Sequence, residues 1–114
     1  MLIPNQPITY TTGATFNITL QQMCTILVWN PPSGQTLQLP TNASSTDAWL
    51  TIVNPSAFAC VVNGGAGNLV TYNNAAATTL QAPVGSIIGS VIYVRSFGTK
   101  WFAALTTAGT PSVA

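Results

Sequence analysis

Three side chains in this 114-residue sequence carry a full charge, Asp47, Arg95 and Lys100, and there is neither histidine nor glutamate. Cys24 and Cys60 are the only other groups with strongly nucleophilic or metal-ligating chemistry. That inventory is too small for the common reaction types. General acid–base catalysis needs a histidine or a carboxylate of tuned pKa, and a single aspartate has no second group to work with. A serine or cysteine nucleophile needs a positioned base. Lys100 is the one candidate, and it falls in a hairpin beside a glycine turn. Metal centres gather several His, Cys or carboxylate ligands, more than two cysteines and one aspartate supply. The glycine-rich stretch 63–67 lacks both the Lys-Ser/Thr pair and the following helix of a phosphate cradle. A net charge of +1 cannot neutralise a row of nucleic-acid phosphates. The sequence therefore predicts no catalytic residue, no cofactor, no metal and no nucleic-acid partner.

Charged residues make up 3% of the chain, where ordinary globular domains carry about a quarter. Uncharged polar groups take their place: 17 Thr, 9 Asn, 8 Ser and 6 Gln. Threonine is β-branched and suits the solvent face of a strand. Hydrophobic residues reach 47% but are cut into short pieces. The longest strictly apolar run, residues 57–62, falls well short of the roughly 18–20 residues of a spanning helix. Nor are there the long alternating segments of a membrane barrel, so no membrane partner is expected. The first residues lack a basic stretch and carry Pro4 and Pro7 where an export signal would be apolar. Synthesis in a cytoplasm is the expectation, and Cys24 and Cys60 are then expected to be buried free thiols.

The elements that must position these few groups are strands. Phe16, Ile18 and Leu20 alternate with Asn17 and Thr19, the period of a half-buried strand. Residues 23–29 are apolar on both faces, Cys24, Ile26 and Val28 against Met23, Leu27 and Trp29, the pattern of a strand covered twice. Pro31-Pro32-Ser33-Gly34 ends it with turn chemistry. Further strands are predicted at 37–39, 49–54, 58–62 and 69–72, around Leu80, and at 87–95 and 100–105. The last two close as a hairpin across Ser96-Phe97-Gly98-Thr99. Only residues 75–79 carry any helical pattern, too short to stand alone. No internal repeat or linker is visible. The fold class is all-β: one domain over residues 1–114, a β-sandwich or jelly-roll-like barrel of about nine or ten short strands.

Three features bear on partners. Trp29, Trp49 and Trp101 would serve a sugar-binding platform if they were exposed together, but each lies among apolar residues, which favours core or interface packing. Arg95 and Lys100 are expected opposite one another across the closing hairpin, with Phe97 between them in the turn. Arg95, Lys100 and Phe97 are accordingly the candidate partner-contact residues. The two ends, residues 1–7 and 106–114, have little core-forming power and read as docking arms. So uncharged and apolar a surface predicts a homo-oligomer, a trimer ahead of a dimer.

Leu39-Pro40, a polar gap, Leu50-Thr51-Ile52-Val53-Asn54, the glycine-rich 63–67, Gly85 and a closing hairpin bearing Lys100-Trp101 form a recurring cadence. Over residues 20–105 it resembles the small β domains of tailed-bacteriophage virions, found as capsid decoration (cement) proteins and in head or tail fibres. Where many such sequences place a glycine just before the strand at 49–54, this chain has Asp47-Ala48-Trp49. The resemblance implies a structural, non-enzymatic protein on the virion capsid surface. It would be made in the host cytoplasm and bind its own copies and a major capsid protein. The alternative within the same resemblance is a fibre-type module that binds a receptor or carbohydrate.

Overall fold

The computed structural model describes residues 7–11, 14–41, 47–106 and 110–114, with Phe97 described in its backbone alone. Among these residues twelve strands form two sheets packed face to face as a β-sandwich. They are β1 (Ile8–Tyr10), β2 (Phe16–Asn17), β3 (Thr25–Trp29), β4 (Gln35–Gln38), β5 (Trp49–Asn54) and β6 (Cys60–Asn63), then β7 (Leu69–Thr71), β8 (Asn74–Ala77), β9 (Thr79–Gln81), β10 (Ser90–Phe97), β11 (Lys100–Thr106) and β12 (Ser112–Val113). The first sheet runs β1-β3-β5-β10-β11-β7-β8 and the second β12-β9-β6-β4-β2. A single 3₁₀ turn at Leu20–Gln22 is the only helical element among the described residues. The 75–79 stretch, the one with any helical pattern, holds strand β8 and the start of β9.

In its first half the chain alternates between the sheets, one strand at a time. β1, β3 and β5 stack in parallel in the first sheet, and β2, β4 and β6 stack in parallel in the second. Ile8, Leu27 and Ile52 therefore share one cross-strand row, and Phe16, Leu37 and Val62 another. The result is three turns of a flattened coil, which sequence reading did not anticipate. The connections between equivalent strands differ in length, so the coil leaves no fixed period. Proline and turn residues after β3 and β5 make each crossing, because a residue without an N–H cannot extend the ladder. The second half then closes the sandwich with antiparallel pairs, except that β7 joins β11 in parallel. β10 inserts between β5 and β11, aligned over Ser90 to Arg95 on one side and Val91 to Phe97 on the other.

The core lies between the sheets. Leu27, Trp29, Leu50, Ile52, Val94 and Trp101 point in from the first sheet, and Leu37, Val62 and Leu80 from the second, each essentially sealed from water. Tyr10 is stacked between Phe16 and Trp29, with ring centroids 5.0 and 4.7 Å away. The Trp101 indole N–H donates to the Pro40 carbonyl at 2.9 Å, so its one polar atom is satisfied on burial.

Two expectations are corrected here. The closing hairpin turns on Gly98 and Thr99 alone, so Arg95 stands opposite Phe102 and Lys100 opposite Phe97. Arg95 and Lys100 are not a cross-strand pair. Gly98 sets this register: at φ 60° it occupies the first central position of a two-residue loop, as a type II′ turn requires. The C-terminal segment is also no free arm over its last residues. β12 pairs with β9, and the Ala114 carbonyl accepts from the N–H groups of Thr78 and Thr79 at 2.6 and 3.1 Å. Thr106 belongs to β11. Residues 1–6 and 107–109 of the expected arms lie outside the described residues.

Candidate functional site

Strand alternation gives each sheet an inner and an outer face, and the two outer faces differ in kind. On the second sheet, Thr36, Gln38, Val61, Asn63, Thr79 and Gln81 point outward, polar in all but one place. On the first sheet, the registers align three rows across four strands. The first is Val28, Val53, Val91 and Thr106. The second is Ile26, Thr51, Tyr93 and Ala104. The third is Trp49, Arg95, Phe102 and Val70. Nine of these twelve residues are apolar, and four of them, Ile26, Trp49, Tyr93 and Phe102, keep 40–49% of their surface exposed. An apolar depression of about 370 Å³ continues the first row, lined by Val28, Val53, Pro55, Gly89 and Val91 among others.

This face revises the reading of residues 23–29. The sequence pattern predicts a strand covered on both sides, yet the chain covers only the side of Leu27 and Trp29. Ile26 remains 42% exposed. The same two-sided apolarity recurs in β5 and β10, where Trp49, Val53, Val91 and Tyr93 point out while Leu50, Ile52, Ile92 and Val94 point in. That repeated signal was available in the sequence, but only the pairing order shows that the outward residues form one surface.

Two of the three charged groups, Arg95 and Asp47, sit at this surface. Arg95 lies in its third row, between Trp49 and Phe102 on the flanking strands, and its Nη2 donates to Asp47 Oδ1 at 3.2 Å. Both side chains are well exposed, at 66% and 85%, so the pair is worth no more than about 1 kcal/mol. Lys100 is directed elsewhere: its Nζ donates to the Ala75 carbonyl of β8 at 2.9 Å. Of the three candidate contact residues, Arg95 is on the apolar face, Lys100 is tied to the sheet's edge, and the Phe97 side chain lies outside what is described. The three tryptophans also separate. Trp29 and Trp101 are in the core and Trp49 is exposed, so they form no common sugar platform.

The thiols are free. Cys60 is buried and Cys24 half-buried, and burial pushes the Cys60 thiol well above its ordinary pKa. Cys24 adopts a left-handed backbone conformation at φ 60°, unusual for a residue with a Cβ. Its N–H donates to the Trp49 carbonyl at 2.6 Å as the chain enters β3. Among the described residues, no three His, Cys, Asp or Glu side chains come together as a metal site, and no helix is long and apolar enough to cross a membrane.

Comparison with known proteins finds no matching family model, no matching curated protein and no matching solved structure.

Proposed function

We propose that this chain is a structural subunit that works by burying the outer face of its first sheet against other protein subunits, and that its setting is the shell of a virus, as a capsid decoration protein. The observation that carries the reading is the contrast between the two outer faces. A sheet with one solvated side shows polar residues there, as the second sheet does, whereas the first presents nine apolar residues in three aligned rows. Contiguous exposed apolar patches of this kind mark interaction sites. The partners are further copies of the chain, a trimer ahead of a dimer, and a major capsid protein. The viral setting comes from the resemblance of residues 20–105 to small phage virion domains.

Such a subunit needs no chemistry. It adds interface area across joints in a shell, and rupture must then expose that area. Each 100 Å² of apolar surface so covered contributes about 2.5 kcal/mol before the costs of association. Many weak copies suffice where one does not.

Density maps of intact virions carrying the chain test the proposal. The expected map places it on the shell with Ile26, Tyr93 and Phe102 against a neighbouring subunit. Absence from the shell, with a purified chain that sediments as a monomer at micromolar concentration in about 0.15 M salt, overturns it.

A further inference from the structure

The glycine-rich stretch 63–67 holds the chain's one Asn-Gly pair, Asn63-Gly64. In such a pair the glycine nitrogen can attack the asparagine side-chain carbonyl carbon, because a residue without a Cβ leaves that nitrogen open to approach. The pair lies at the end of β6, the middle strand of the second sheet. Asn63 is half-buried and Gly64 buried. Packing explains the glycine: a Cβ there would stand 3.2 Å from both Cβ and Cδ1 of Leu69.

The groups that would react are tied down in the fold. The Gly64 N–H, whose nitrogen is the nucleophile, donates to the Thr78 carbonyl at 2.9 Å. The Asn63 side-chain oxygen accepts from the Gly65 N–H at 2.8 Å, which fixes the electrophile in a turn. The Asn63 main-chain carbonyl accepts from the Leu39 N–H at 2.9 Å and from Gln38 Nε2 at 3.2 Å. Thr78 is itself anchored, since its N–H donates to the Ala114 carbonyl at 2.6 Å. While these bonds hold, the Gly64 nitrogen has no freedom to attack.

We infer that Asn63-Gly64 is a fold-gated deamidation site, closed in the native chain by Thr78 and opened only when β6 separates from the segment that leads into β9. Once open, the Gly64 nitrogen bonds to Asn63 Cγ and gives its proton to solvent. The Cγ–Nδ2 bond breaks, ammonia leaves with a proton from water, and a cyclic succinimide remains. Water then opens the ring, so the net exchange is one water in and one ammonia out. Attack at Cγ leaves aspartate. Attack at the main-chain carbonyl leaves isoaspartate, whose backbone runs through Cγ and is longer by one carbon. That backbone cannot offer its carbonyl to Leu39 and Gln38 while keeping Gly64 opposite Thr78. Either product adds a carboxylate, which cancels the net charge of +1 and with it the charge that opposes association. An opened copy is thereby marked chemically, and an isoaspartyl copy does not regain the same pairing. This site is separate from the outer face of the first sheet and stands or falls independently of it.

The test follows conversion of Asn63 by peptide mass spectrometry in the full chain at mildly alkaline pH, beside the free peptide acetyl-Val-Asn-Gly-Gly-Ala-amide. In denaturing urea the chain should convert at the peptide's rate. The native chain should convert at least about a hundredfold more slowly, because only the open fraction reacts. Across a series of lower urea concentrations, conversion at Asn63 and hydrogen exchange at the Gly64 amide, read by NMR, should rise in parallel, since one opening frees the nitrogen for both. Deleting residues 112–114, which removes the anchor of Thr78, should speed conversion in native buffer at least about tenfold. Native conversion at the peptide's rate, conversion that ignores urea while Gly64 exchange rises, or a deletion that converts no faster than the parent would each overturn the assignment.

Discussion

Replacing Tyr93 by lysine separates the outer face from the fold that carries it. Tyr93 keeps 49% of its surface exposed and stands in the middle row between Thr51 and Ala104. A cation is the sharper probe, because Arg95 lies two residues along on the same face and would neutralise a carboxylate. In the isolated subunit the ammonium stays in water, so stability should fall by no more than about 1 kcal/mol, the span of strand preferences in a host protein. In the proposed assembly the position is covered. A tyrosine presents 150–250 Å² of contact surface, so covering its exposed half removes roughly 100 Å² from water. That amounts to about 2.5 kcal/mol at 25 cal/mol per Å². The lysine forfeits this and must also lose hydration without a partner, a further cost of several kcal/mol. Association should therefore weaken by at least about 3 kcal/mol, or more than about a hundredfold in Kd. Tyr93→Phe should leave it nearly unchanged. Sedimentation equilibrium gives the Kd and thermal melting the stability. If Tyr93→Lys assembles like the parent while melting normally, the outer face of the first sheet is not the covered surface.

Charge removal should matter little by comparison. Arg95→Ala is expected to change association by less than about 1 kcal/mol, and raising salt tenfold should barely weaken it, because the Asp47 pair is exposed and screened; sedimentation across a salt series checks both. Deleting residues 112–114 removes β12 and the Ala114 contacts to Thr78 and Thr79, so it should lower stability by about 1–3 kcal/mol at roughly 1 kcal/mol per hydrogen bond, read as a drop in denaturant midpoint. Cys60→Ala should cost about 1–2 kcal/mol through lost packing. The raised pKa of the Cys60 thiol adds a pH signature: its stabilising contribution is complete below the unfolded thiol pKa of about 8.5 and is lost as pH rises toward the folded value. The parent should therefore lose stability above that pH more steeply than Cys60→Ala, in melting curves recorded across the alkaline range.

Much of the fold was legible in the chain because strands write their alternation locally. The segments at 49–54 and 100–105 are strands close to where the pattern put them, and Trp29 and Trp101 are buried as their apolar neighbours implied. Short elements were not legible. β2 and β12 are two residues each, below the length at which a period of two can be recognised, and β8 is built largely of alanine, which has little β preference. The hairpin register was misplaced by two residues because Gly98 fits more than one position in a turn, and the pairing alone decides which.

The site divides along the same line. Composition by itself determined that three side chains carry charge and that Thr, Asn, Ser and Gln supply the polar groups in their place. The two-sided pattern at 23–29 predicted a strand covered twice, of which the chain itself covers one side. Only the tertiary structure decided that Ile26, Tyr93 and Phe102 share one face, and that Arg95 joins them while Lys100 does not. Those facts depend on which strands become neighbours and in what register. Pairing joins residues far apart in the chain, and neither strand alone encodes it.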